Sequence, residues 1–283
     1  MTVKYSARSH VGRVRGNNED NLYVDGVMMA EEVREFPFTI DGLTRPPSVF
    51  AVCDGIGGEE DGEMASLLAI QTLLHSDALV KASSLDVLHD SIQAYVNEAH
   101  EVIRSATNNP KMRAGTTLAL AMAADNGVYC FNVGDSRIYV SQKSGFRQIT
   151  NDHTVVGEYK RKAGLAVNQP VDLENGNKLT RCLGIGDSFT VEGYPPITGD
   201  CRLLICSDGL TDLVSAGEIE TTLRTAEATA NAADYLLETA LKNGGKDNIT
   251  IIIIEIKIAK FAFFQAIVKK LKGLKGYEAD APF

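Results

Sequence analysis

The sequence predicts an α+β protein: two mainly antiparallel sheets packed face to face with helices outside both, a four-layer α-β-β-α sandwich. Three observations predict it. The segments Val49–Cys53 and Ile249–Ile254 are apolar on both faces, and such strands must be covered from both sides. Connections between the predicted strands are short, which suits antiparallel neighbours. Two sets of segments with helical apolar spacing are available as outer layers. A single parallel sheet would need strict strand–helix alternation, which is absent.

In chain order, residues 21–29 (NLYVDGVMM) predict a hairpin turning at Asp25-Gly26. Residues 31–47 contain three prolines and predict a loop or an edge strand. Met64, Leu67, Leu68 and Leu74 place a helix in 61–79; Leu88, Ile92, Tyr95, Ala99 and Ile103 place another in 86–106. Four strands follow, TTLALAMA, GVYCFNVG, RIYVSQ and FRQIT, with turns at Asp125-Asn126-Gly127 and Lys143-Ser144-Gly145. Residues 151–180 are polar and irregular. RLLICSDG (202–209) is a further strand, two helices fill 215–243, and NITIIIIEI (248–256) is the last strand.

With 283 residues, 44% of them hydrophobic, the chain can bury a large core as one domain or at most two. The net charge of −9 and the lack of a basic, aromatic-interleaved patch exclude a nucleic-acid binder. Five cysteines with no C-x-x-C spacing predict reduced core thiols and a cytoplasmic setting. No signal peptide or membrane-spanning run is read in the sequence.

The chemistry lies in acids at strand ends. VFAVCDG ends on Asp54-Gly55, LLICSDG on Asp208-Gly209, and FNVGDS places Asp135 at a third strand end. GGKDN puts Asp247 just before the last strand. A carboxylate at a buried rim is costly unless hydrogen-bonded or bound to a cation. One Asp-Gly alone is an ordinary turn; four such acids, with NNED at 17–20, point to an all-oxygen site for Mg²⁺ or Mn²⁺. Neither a calcium EF-hand loop nor a phosphate-binding P-loop fits DGIGGEEDGE, and the five histidines form no zinc pattern.

VGRVRGNNEDN, FAVCDGIGG, GTTLALA, NVGDSRIYV, ITNDHTVV, LTRCLG, CSDGLTDLV and GGKDNITIIII occur in that order over roughly residues 3–256. Together they resemble the bacterial branch of the metal-dependent PP2C-type Ser/Thr protein phosphatases. The resemblance implies the same sandwich, with a dinuclear Mg/Mn centre at one end of its sheets. It implies that Asp54 bridges the two metals, that the Gly55 carbonyl serves the second, and that Asp208 and Asp247 hold the first. Glu19 and Asp20 would act through metal-bound waters, and Asp135 with Asp208 would support a third, weaker metal. Arg15 matches the phosphate-binding arginine. Two such cations can share a hydroxide that attacks phosphorus in line, while the Arg15 fork grips phosphate oxygens.

Two departures stand out. Ile56 occupies the place where some relatives carry a histidine, and residues 151–180, the family's flap, lack its acidic helix and His-Pro. His153 is expected to organise the start of that flap rather than to take part in the chemistry. The expected function is hydrolysis of phosphoserine and phosphothreonine in proteins, opposing a Ser/Thr kinase, by a monomeric enzyme. Alternatives are a phosphatase dedicated to one regulatory partner and a non-catalytic phosphoprotein binder; the intact Asp54, Asp208 and Asp247 set argues against the latter.

The expected domain is residues 1–256. Residues 257–283 carry six lysines against Glu278 and Asp280, a net +4 that leaves −13 on 1–256. Phe264, Ile267, Val268, Leu271 and Leu274 fall on one helical face. This basic amphipathic helix is expected to pack on its own acidic domain, in preference to peripheral membrane contact through 257–275.

Overall fold

The computed structural model describes residues 1–29, 37–57, 61–76, 85–106, 114–166 and 169–258. The C-terminal helix expected in 257–283 lies outside the described residues from 259 onward, as does Gly58.

Two six-stranded antiparallel sheets dominate. The first holds, in spatial order, β11 (Gly145–Gln148), β10 (Arg137–Gln142), β13 (Cys201–Cys206), β14 (Ile249–Lys257), β1 (Thr2–His10) and β4 (Phe38–Thr44). The second holds β12 (Glu192–Ile197), β9 (Gly127–Val133), β8 (Leu118–Ala124), β5 (Ser48–Cys53), β2 (Asn21–Val24) and β3 (Val27–Met28). A two-residue pairing of β6 (Gly55–Ile56) with β7 (Gly115–Thr116) hangs from the end of β5.

The expected alternation settles which side chain enters which core. Phe50 and Val52 of β5 face Ile252 and Ile254 of β14 between the sheets. Val49, Ala51 and Cys53 face the opposite way, onto α1 (Asp61–Leu74) and α2 (Leu85–Ala106). Ile251 and Ile253 likewise turn outward onto α5 (Ala216–Thr225) and α6 (Thr229–Lys242). Three apolar cores thus separate four layers, which is why β5 and β14 are apolar on both faces. All five cysteines are free and buried.

The hairpin turns at Asp25 and Gly26, both with positive φ, and the 38–44 segment is an edge strand. Three features differ from expectation. β1 and β12 are strands the residue pattern did not single out. The polar stretch 151–180 is not wholly irregular: it contains α3 (Val155–Ala163), capped by the Thr154 side chain, which accepts from the Gly157 amide, and closed by left-handed Gly164. A four-residue helix, α4 (Asp208–Thr211), follows β13 directly, so Asp208 opens a helix rather than ending in a loop.

Candidate active site

The strand-end acids converge. Asp54 follows β5, Asp208 follows β13 and Asp247 precedes β14; all three line one cavity of 220 Å³ with Arg15, Glu19, Gly55, Ile56 and Asn248. Asp20 sits behind it, fully buried. Asp135 does not line this cavity; with Asp208 it faces a neighbouring groove.

The segment carrying Arg15 and Glu19 is fastened to the segment carrying Asp247. The Arg13 amide donates to the Gly245 carbonyl (2.7 Å) and the Arg13 guanidinium to the Leu241 carbonyl (2.8 Å). Asn248 is the keystone. Its side-chain oxygen accepts from the Glu19 amide at 2.8 Å, and its side-chain nitrogen donates to the carbonyls of Val11 and Asn17, both at 2.9 Å. Its own amide donates to Asp247 Oδ1 at 2.9 Å. Asp247 Oδ2 accepts from the Arg15 guanidinium at 2.7 Å.

Asp54 is set by two threonines on and beside β7. The Thr117 hydroxyl accepts from the Asp54 amide (3.0 Å) and shares a hydrogen bond with Ser136 (2.6 Å). The Thr116 hydroxyl donates to the Asp54 carbonyl at 2.9 Å. Ser207 donates to Asp20 Oδ2 (2.8 Å) and accepts from the Thr250 amide (3.0 Å). Asn248, Ser207, Thr116 and Thr117 are site residues that the sequence reading passed over. Their signal is adjacency, since each stands within two residues of a site acid or in the GTT that pairs with Gly55-Ile56.

A glycine at position 55 is required by packing. A Cβ there would strike the Gly62 carbonyl at the start of α1 and the Glu19 carbonyl. Gly62 is equally constrained, because a Cβ there would collide with the Glu19 carboxylate. Glycines let the first turn of α1 close on the segment that carries Glu19.

The electrostatics of this end are strained. Burial, then repulsion from Asp20 and Asp208, pushes the Asp54 carboxyl well above its ordinary range. Burial, then Asp212 and Asp247, raises Asp208 to about 6. Asp20 rises to about 7 through burial despite its hydroxyl partners, and Asp135 to about 7 through burial and Asp208. Asp20 Oδ1 has no hydrogen-bond partner, although it is wholly buried. Buried acids held this close favour a cation among them. No three His, Cys, Asp or Glu side chains among the described residues form a closed ligand cage. A cavity of 220 Å³ instead suits hydrated hard cations, which take one or two carboxylates each and keep several waters.

His153 is structural, as expected. Its Nδ1 accepts from the Gly134 amide (3.1 Å), so its Nε2–H donates to Glu192 (2.9 Å), and its carbonyl accepts from the Thr180 amide (2.8 Å). It ties both ends of the flap to the turn that carries Asp135.

A four-layer α-β-β-α sandwich with carboxylates gathered at one end of its sheets defines a class of metal-dependent phosphatases. The family model for protein phosphatase 2C matches residues 13–249, and the chain belongs to that family. A serine/threonine phosphatase Stp of Listeria innocua is 33% identical over 254 residues, covering 88% of this chain and 94% of the relative. The crystal structure of the Mycobacterium tuberculosis serine/threonine phosphatase PstP superposes with a TM-score of 0.72 at 29% identity, covering 91% of this chain and all of that one. The PstP catalytic domain has also been solved in complex with two manganese ions, and matches with a TM-score of 0.71 at 30% identity. The chain is therefore an enzyme, a protein-serine/threonine phosphatase. No helix among the described residues is long and apolar enough to cross a membrane.

Proposed function

We propose that this phosphatase hydrolyses phosphoserine and phosphothreonine in proteins with two Mg²⁺ or Mn²⁺ ions held at the Asp54, Asp208 and Asp247 cavity, opposing a Ser/Thr kinase. The observation that carries the reading is the convergence of those three carboxylates, from three strand ends far apart in sequence, on one cavity with Glu19 and Arg15. When bound, the cation pair supplies a hydroxide nucleophile near neutral pH and offsets negative charge on the phosphoryl group.

The chain's own residues divide the remaining work. Asp54 would be shared by the two metals, the Gly55 carbonyl would serve the second, and Asp208 and Asp247 would hold the first. Glu19 and Asp20 would act at one remove, through metal-bound water. Asp135 and Asp208 share the mouth of the neighbouring groove, where a third, weaker cation would sit. Arg15 is half-exposed at the cavity rim, so its planar fork is placed to bind two phosphate oxygens and orient phosphorus. Ile56 offers no proton, so the leaving alkoxide takes one from water at the site.

The phosphatase unit in this reading is residues 1–256, and the enzyme works as a monomer in the cytoplasm, where five buried thiols stay reduced. Phosphate release from a phosphothreonine peptide, measured with Mn²⁺, with Mg²⁺ and after chelation, tests the proposal. Release that is indifferent to chelation contradicts it.

A further inference from the structure

Beside the metal-site cavity runs a second, larger groove of 1130 Å³, far more than a phosphoryl group fills. Asp208 lines both, so the two spaces meet at the acids. The floor is the outer face of the first sheet's edge. Alternation along β10 and β11, in the register Tyr139 to Gln148 and Ser141 to Phe146, puts Arg137, Tyr139, Phe146 and Gln148 on that face. One wall is the start of α5; the other is the flap, with Val156 of α3 and Asp172 beyond it.

Its floor is aromatic. Tyr139 and Phe146 stack with centroids 5.5 Å apart and planes 2° from parallel; Tyr139 is buried, whereas Phe146 is half-buried and open to the groove.

Its charge is negative. Arg137 is spent on Asp152, to which it donates at 2.6 and 2.9 Å. Arg147 pairs in register with Val140, whose side chain lies between the sheets. Arg147 therefore leaves β11 on the other face from Phe146, yet it still counts among the residues that line the groove. Arg147 and Lys160 are then the cations lining the groove outside the Arg137 pair, against Asp172, Asp212 and Glu220, with Asp135 and Asp208 at the end shared with the metal-site cavity. Asp172 and Asp212 make no ion pair among the described residues. Glu220 meets Arg224 of its own helix at 3.1 Å, an exposed pair that leaves its field largely available.

We propose that this groove is a subsite for the substrate chain next to its phosphoresidue, and that it selects an arginine side chain laid on Phe146 with its charge toward Asp172, Asp212 and Glu220. The proposal rests on the phosphatase reading above. Arginine suits both parts of the surface: its guanidinium stacks on an aromatic face and its aliphatic stem covers apolar floor. Continuity with the metal-site cavity identifies the occupant as the polypeptide that carries the phosphate.

The test uses the full chain with Mn²⁺ and matched phosphothreonine peptides that place arginine, alanine or glutamate at successive positions either side of the phosphoresidue. Each variant is read as its own arginine-to-alanine ratio of kcat/KM, so that changes in overall turnover cancel. At one position the wild-type ratio should reach about fivefold, the size of one cation–π contact with screened charges behind it, with glutamate poorest. Phe146→Ala and the pair Asp172→Asn with Glu220→Gln should each bring it below about twofold, and high salt should shrink it. Phe146 is partly buried at the margin of the third core, so a melting curve checks that Phe146→Ala stays folded. Equal rates for arginine and alanine at every position, or a preference that survives both variants, would overturn the proposal. Failure to release phosphate from any peptide or from p-nitrophenyl phosphate would overturn the phosphatase reading and this inference with it.

Discussion

Replacing Arg15 with alanine separates a phosphate grip from a structural clamp, because the side chain touches Asp247. The Arg15 guanidinium donates to Asp247 Oδ2 at 2.7 Å, with 49% and 38% of the two side chains exposed. A pair that open to water is worth about 0–1 kcal/mol. Freeing Asp247 should therefore change the Mn²⁺ dissociation constant by less than about fivefold. Toward substrate the balance differs. Charged hydrogen bonds to phosphate are worth about 1.5–3 kcal/mol, so Arg15→Ala should raise KM for a phosphothreonine peptide by about 10- to 150-fold. Arg15→Lys keeps a point charge but loses the two-pronged fork, and should fall between. Steady-state kinetics at saturating Mn²⁺, with calorimetric Mn²⁺ titration of the same samples, reads both quantities. Loss of Mn²⁺ binding with KM unchanged would show that Arg15 serves Asp247 and not the phosphate.

Asp208→Asn and Asp247→Asn should each abolish Mn²⁺-dependent hydrolysis while circular dichroism stays native; near-normal turnover by either at saturating Mn²⁺ contradicts their assignment. Gly55→Ala drives a methyl into the Gly62 and Glu19 carbonyls and should cost about 1–3 kcal/mol, seen as a lower Tm with reduced activity; an unchanged Tm would refute the packing argument. In chelator, stability should fall as pH rises from about 4 to about 7. The folded-state carboxyls of Asp208 and Asp20, raised to about 6 and about 7, hold protons more tightly than in the unfolded chain. Added Mn²⁺ should reverse that fall, and thermal unfolding that shows stability climbing steadily from pH 5 to pH 8 in chelator would contradict it. Below that window Glu192, held at about 2 chiefly by its hydrogen bond from His153, loses its contribution as pH drops through its folded value.

Most of what defines the site was legible because it is local. Asp54 and Asp208 are each announced by an adjoining apolar strand and glycine, Asp247 by the apolar strand that follows it, and the two-sided apolarity of β5 and β14 already demanded four layers. β1 was harder, since its core positions include polar groups satisfied only by distant partners. Ser6 bonds Thr229, Ser9 bonds Thr250 and buried Arg8 meets Asp41 and Asp234. β12 was masked by Pro195 and Pro196, which its place at the sheet edge and a bulge between Tyr194 and Ile197 accommodate. α3 is short and has no buried residues, and its capping residues were its clearest local signature. The reason for Gly55 lay in Gly62 and Glu19, whose approach no local pattern reveals. The strands β10 and β11 were visible in sequence, but their meeting with the flap across a groove is a product of the fold.

The most direct test of the metal-centred site is Mn²⁺ titration of the chain by calorimetry, with phosphate release from a phosphothreonine peptide followed over the same concentrations. Two Mn²⁺ ions should bind per chain, activity should track their occupancy, and Asp54→Asn should lose both together. Hydrolysis that proceeds without saturable Mn²⁺ or Mg²⁺ binding, or Mn²⁺ binding unaltered in Asp54→Asn, would contradict it.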